Sequence, residues 1–289
     1  VFNVQGGTVF GAGKGLDNSV NYIGSANETY ISVSDEAYIE QAVYGGAFHG
    51  IAKESHIYLT GNARVGNVYG GSFEPVHADN EPTWRCNNTD IRMYGGNVLQ
   101  GIYGGHNAKG TVYGATSLHI DGGQVGTSNS AAYIHGGGYG QNTKVSGNVQ
   151  LTLGTTSQNT PGVTVFGDVY GGSALGTVNT NAQNQTNVTL NAGTINGSLY
   201  GGGLGDQSTA ADVNGAVAVT VNGGTITGGV FGGNNINGMP KSTVAVTINE
   251  TDIEPAPGEY AVKAVYGGGN MAPYTGNPTV RIQGGNIEN

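Results

Sequence analysis

Apolar and polar positions alternate along this chain in short runs that stop at glycine. Val188-Thr189-Leu190, Val219-Thr220-Val221 and Val280-Arg281-Ile282 put aliphatic side chains on one side of an extended segment and a polar one on the other. Each then turns through Asn, Gln, Ala or Gly and resumes at Ile195, Ile226 or Ile287. Ile91-Arg92-Met93 leading to Val98, and Leu118-His119-Ile120 leading to Val125, repeat the arrangement. A period of two is the mark of a strand with one buried face.

A second motif follows: an aliphatic residue, an aromatic one, then two or three small residues. It reads Val9-Phe10-Gly11-Ala12, Val43-Tyr44-Gly45-Gly46, Val68-Tyr69-Gly70-Gly71, Ile102-Tyr103-Gly104-Gly105, Val169-Tyr170-Gly171-Gly172, Leu199-Tyr200-Gly201-Gly202, Val230-Phe231-Gly232-Gly233 and Val265-Tyr266-Gly267-Gly268. Ile134-His135-Gly136-Gly137 is a variant with His in the aromatic place. The steps between aromatic positions are 34, 25, 34, 32, 35, 30, 31 and 35 residues.

Each unit is therefore a strand, a Gly corner, a strand ending in the aromatic, a second Gly corner and a loop of variable length. Length variation confined to one place per unit is what a solenoid predicts, because its loops project from one side. A propeller blade needs four strands in about 40–45 residues, which these units do not hold. The expected fold is all-β: a single-stranded right-handed parallel β-helix (β-solenoid) of about nine coils of 25–35 residues, the hand following from the usual chirality of parallel connections. One domain spans 1–289, expected to be a fragment of a longer repeat array because both ends are cut at the same phase of the repeat. Coils stacked at about 4.8 Å make a rod roughly 45 Å long. Strict alternation points Phe10, Tyr44, Tyr69, Tyr103, Tyr170, Tyr200, Phe231 and Tyr266 away from the aliphatic core. That stripe reads as a structural stacking ladder, with a platform for sugar rings or a partner protein as the alternative. The glycine pairs are expected to supply positive φ and tight corners.

Composition sharpens this picture. There are 55 Gly in 289 residues, more than twice ordinary usage of about 7%, yet only 8 Pro and no G-X-Y period, which excludes collagen. The net charge is −9, with 10 scattered Lys and Arg, so no basic surface for a phosphate backbone is expected and nucleic acid is excluded as a partner. No apolar stretch is long enough for a membrane span. Cys86 is the sole cysteine, so no internal disulfide can form.

The densest chemistry lies in the segment 72–88, which holds Glu74, His77, Asp79, Glu81, Trp84, Arg85 and Cys86. Three readings stand there: a metal site on His77, Asp79 and Glu81; a sugar site with Trp84 as platform and Arg85 pairing an acidic group; or a decorated loop folded back on the rod. The last is favoured, so no metal or cofactor is expected and the segment is a candidate ligand-binding loop only. His49, His56, His77, His106, His119 and His135 have no legible catalytic partner and read as structural. Gly201 to Asp206 lacks the spacing of the calcium-binding nonapeptide, and Gly11-Ala12-Gly13-Lys14-Gly15 lacks the Lys-Ser/Thr of a phosphate loop.

The Val-Tyr-Gly-Gly corner and the Asn222-Gly223-Gly224-Thr225-Ile226 turn resemble repeats of adhesin-like, Gly-rich β-helical proteins of bacterial (Bacteroidetes-type) surfaces and, more loosely, autotransporter passengers. The resemblance covers nearly the whole chain. It implies a secreted or cell-surface structural or adhesin-like module without catalytic activity, with a host or cell-surface glycan or protein as partner. Two alternatives remain: a subunit that self-associates end to end into a fibre, and a polysaccharide-binding or polysaccharide-degrading β-helix. The latter would draw on Glu74, Asp79, Glu81, Arg85 and Arg92.

Overall fold

The computed structural model describes residues 3–4, 7–16, 23–75, 85–156, 162–249 and 260–288. Among these, every strand pairing within the sheets is parallel, and the order of strands in each sheet follows successive coils. The chain is a parallel β-helix. Strands of one coil do not pair with one another; equivalent strands of successive coils pair. That excludes a propeller, whose blades are built from sequence neighbours.

Three sheets wall the solenoid. The first has nine strands: Ala26–Val33, Ala52–Leu59, Asn88–Met93, Thr116–Ile120, Val149–Leu153, Gln185–Leu190, Ala216–Val221, Val244–Ile248 and Thr279–Ile282. The second has thirteen and carries the segments that end in the aromatic position; several of them shift register midway, as between Val65 and Asn67. A narrow third sheet of three, Lys109–Val112, Asn142–Val145 and Thr177–Val178, closes the coils in mid-rod.

Register turns the alternating pattern into columns. Ile57, Ile91, Leu118, Leu151, Val188, Val219 and Val246 sit directly above one another on the first sheet. Val65, Val98, Val125, Val165, Ile195 and Ile226 do so on the second. The third wall contributes Val112, Val145 and Val178, continued by Cys86 and Val213. All these side chains meet in one buried core running the length of the rod. Burial of each such aliphatic contributes about 1.5–3 kcal/mol.

The glycines serve two distinct purposes. In the Gly-Gly turns between the first and second strands of a coil, Gly96, Gly123, Gly224 and Gly285 have φ between 83° and 90°, the left-handed region that favours glycine. The glycines after the aromatic do not need that region, contrary to expectation. What they need is the absence of a Cβ: at Gly45, Gly70, Gly104 and Gly136 it would run into the carbonyl oxygen of the equivalent glycine in the next coil. Backbone hydrogen bonds continue through this corner, for example Gly70 N to Tyr103 O at 2.8 Å and Gly71 N to Gly105 O at 3.0 Å. An inner strut completes it. Thr29, Ser55 and Thr89 hydroxyls donate to the carbonyls of Gly45, Gly70 and Gly104 at 2.6 Å, and Thr116 donates to Gly136 at 2.7 Å.

Phe10, Tyr44, Tyr69, Tyr103, His135, Tyr170, Tyr200, Phe231 and Tyr266 form one continuous stack, with neighbouring centroids 4.6–5.3 Å apart. The rings point away from the aliphatic core, as alternation requires, but they are not a surface. From Tyr44 to Phe231 they are buried, because residues of the post-corner loops lie over them. Phe73 and Leu175 pack on one half of the stack and Leu204 on the other. Burial raises the phenols of Tyr44, Tyr69, Tyr103 and Tyr170, Tyr44 to about 12. His135, stacked between Tyr103 and Tyr170, is pushed down to about 3 by burial, so its ring is neutral.

Candidate functional site

The outward side of the nine-stranded sheet is chemically uneven, and that unevenness marks the candidate site. On Val149–Leu153 and the three strands after it, the outward positions include Gln150, Thr152, Asn187, Thr189, Ala218, Thr220, Ala245 and Thr247, and Thr279–Ile282 adds Thr279 and Arg281. On the first three strands acidic, aromatic and basic residues join them, beside the neutral Ser32 and Asn88. Register aligns Glu28 with Glu54 and Asn88, Tyr30 with His56 and Asp90, and Ser32 with Tyr58 and Arg92. Tyr94 extends the same alternation beyond Met93.

These side chains hold one another. The Tyr30 hydroxyl donates to Glu28 Oε1 at 2.6 Å, and its ring stacks on His56 at 4.8 Å and 12°. His56 lies between two carboxylates, with Nε2 3.3 Å from Glu28 and Nδ1 3.5 Å from Asp90. Arg92 Nε donates to Asp90 Oδ2 at 2.9 Å. A hydrogen bond to Tyr94 and the Asp90 carboxylate both favour the charged guanidinium and raise its pKa. The hydrogen bond to Glu28 likewise raises the Tyr30 phenol. Against this ordered base two rings stand open to solvent: Tyr30 is 66% and Tyr94 51% exposed. Among the described residues this is the sheet surface on which exposed aromatics, carboxylates, an imidazole and a guanidinium adjoin. It offers ring faces for apolar contact and carboxylates that accept hydrogen bonds from hydroxyl or amide donors.

Within the segment 72–88, His77, Asp79, Glu81 and Trp84 lie outside the described residues, and with them the metal and Trp-platform readings. Glu74 and Arg85 are described, and they take separate partners. The Glu74 carboxylate is 3.9 Å from both His49 Nδ1 and Lys109 Nζ, and its backbone bridges to His49. The Arg85 guanidinium sits 4.6 Å over the Tyr113 ring. Arg92 stands on the sheet face, paired with Asp90. His49 and His106 are buried in the loop layer, and His106 Nδ1 accepts the Ser72 N–H at 2.8 Å. Cys86 is buried against the third wall, its thiol raised to about 12 by desolvation. Among the described residues no helix is long and apolar enough to cross a membrane.

Sequence reasoning missed Tyr30, Asp90 and Tyr94 as site residues and read His56 as structural. The signal was present: Glu28-Thr29-Tyr30-Ile31, Glu54-Ser55-His56-Ile57-Tyr58 and Asn88-Thr89-Asp90-Ile91-Arg92 differ at every outward position from Val-Thr-Leu or Val-Thr-Val in later units. Only strand register shows that these positions adjoin. No protein-family model matches this chain, and no curated protein or solved structure matches it significantly.

Proposed function

We propose that this chain is a secreted or cell-surface β-helix module of adhesin-like, structural character, which engages its partner along the outward face around Tyr30 and His56 and carries out no catalysis. The observation that supports the reading is the contrast between a regular rod and one irregular patch. A purely mechanical stalk has no need of two open aromatic rings beside hydrogen-bonded charges, whereas a contact surface does. Its bacterial character rests on the resemblance of the Val-Tyr-Gly-Gly and Asn-Gly-Gly-Thr-Ile units. The test is binding of the labelled chain to bacterial and epithelial cell surfaces and to immobilised surface glycans, with a Tyr30→Ala/His56→Ala double variant alongside. Binding that the double variant loses supports the reading. Undiminished binding moves the contact elsewhere, and release of cleaved glycan fragments overturns the non-catalytic assignment.

End-to-end assembly is a second reading with its own observation. In the last described coil Val280 is 43% and Ile282 48% exposed, whereas Val246 and Ile248, the same positions one coil earlier, are fully buried. Tyr266 ends the ring stack 49% exposed. Such a row presents aliphatic side chains at the spacing of a further coil, whether that coil belongs to the same chain or to another copy. Light scattering over a concentration series decides it: particles that lengthen with concentration support assembly, and a constant monomer mass overturns it.

A further inference from the structure

Tyr94 stands at the edge of a hollow of about 470 Å³ on the turn between the first and second sheets. Three amide side chains, Asn62, Asn97 and Gln124, share its lining, and its floor is the backbone of the glycine turns Gly95-Gly96 and Gly122-Gly123. We propose that this hollow is a subsite for one ring of a neutral, polyhydroxylated saccharide. The proposal rests on the adhesin-like reading and names its ligand.

Four features carry it. The hollow falls within the size of small-ligand sites, about 300–1,000 Å³. Among the described residues its lining contains no Asp, Glu, Lys or Arg, so no charged side chain of the lining compensates a uronate, sulfate or ammonium group that leaves water. Its side-chain polar groups are carboxamides and a phenol. A carboxamide both donates and accepts, which suits hydroxyls that also do both. The Tyr94 ring is half exposed while a hydrogen bond to Arg92 ties it to the Asp90 pair. An open ring face already held in position loses little freedom when a saccharide stacks on it.

The floor has a further consequence. Gly96 and Gly123 occupy equivalent turns of successive coils with φ of 88° and 85°. A Cβ at either position would run into the preceding coil, the Ala63 carbonyl at Gly96 and the Gly96 carbonyl at Gly123, so these turns remain bare backbone. The patch at Tyr30 adjoins along the sheet: two coils and four residues separate Tyr30 from Tyr94, a diagonal of about 16 Å at ordinary strand spacing and rise. A ligand that reaches both rings is therefore an oligosaccharide, with its chain running obliquely across the strands.

The experiment is calorimetric titration of the whole chain with maltohexaose, cellohexaose, mannohexaose and β-1,4-galactohexaose, and in parallel with oligogalacturonate and a sulfated dextran. The expected result is binding of at least one neutral probe, weakened about tenfold or more by Tyr94→Ala, several-fold by Gln124→Ala, and less by Tyr94→Phe, which keeps the ring face and loses the hydroxyl, than by Tyr94→Ala. Unchanged circular dichroism and melting of Tyr94→Ala show that the loss is local. Binding confined to the anionic probes, or neutral binding that Tyr94→Ala leaves intact, overturns the subsite. Cell-surface binding that requires Tyr30 and His56 while no neutral probe binds also overturns it, and leaves the adhesin-like reading standing. Absence of both cell and saccharide binding overturns the two together.

Discussion

Gly104 and Gly268 belong to the same kind of corner yet meet different surroundings. A Cβ on Gly104 would strike the Gly136 carbonyl and lie 2.8 Å from Leu118 Cδ1, whereas one on Gly268 has nothing within 4 Å. Gly104→Ala is expected to destabilise the chain by about 1–3 kcal/mol, and Gly268→Ala to change stability by less than about 0.5 kcal/mol; urea unfolding of the pair measures the difference. His135 gives a second residue-scale expectation. Its folded pKa of about 3 lies below the ordinary 6.5 because burial disfavours the imidazolium. Above pH 6.5 both folded and unfolded rings are neutral and stability is at its full value. Below it the unfolded state binds the proton first, so stability falls by about 1.4 kcal/mol per pH unit until the folded ring also titrates near 3. His135→Tyr, which restores the repeat residue, is expected to remove this part of the acid sensitivity in a series of melts from pH 7 to pH 4. An unchanged slope would assign the acid response to other groups.

At the scale of the element, the coil is held by more than its ladders. The strut from Thr89 to the Gly104 carbonyl spans the interior of one coil, so Thr89→Val is expected to cost about 1 kcal/mol through the lost hydrogen bond. The cost stays modest because Val149 fills the register position of Thr116 in the next coil without a hydroxyl. Cys86 reports on the third wall. Its thiol is fully enclosed and raised to about 12, so a thiol-specific reagent at pH 8 is expected to leave it unmodified in the native chain and to label it once the coil opens. Rapid labelling under native conditions would mean that this wall opens locally.

For the whole molecule, stability is set by contacts between neighbouring coils and is lowest where a coil has one neighbour instead of two. Every residue of Thr279–Ile282 is exposed, while the alternate residues of Thr116–Ile120 and Val149–Leu153 are buried. Hydrogen exchange is expected to be fastest in that last strand and slowest in the mid-rod strands. Equal protection along the sheet would instead indicate one global unfolding unit. The continuous stack from Phe10 to Tyr266 favours long-range order, since each stacked pair contributes about 0.5–1.5 kcal/mol beyond burial and every inner ring belongs to two pairs.

The sequence by itself determined the repeat, its strands and its parallel stacking, because a period of two and a fixed glycine corner are local properties that each coil states again. It also determined which aliphatics face inward, as at Val188 and Leu190. Tertiary structure decided the rest. Alternation sends Tyr69 away from the core, but only the fold shows the loops lying over it, since their placement depends on the coils above and below. The glycine doublets look alike in sequence, yet Gly96 is required for its φ and Gly104 for the carbonyl that approaches from the next coil. Glu28, Tyr30, His56, Asp90, Arg92 and Tyr94 are spread over more than sixty residues of chain. They become one surface because parallel register sets equivalent positions of successive coils about 4.8 Å apart, a distance that no local pattern contains.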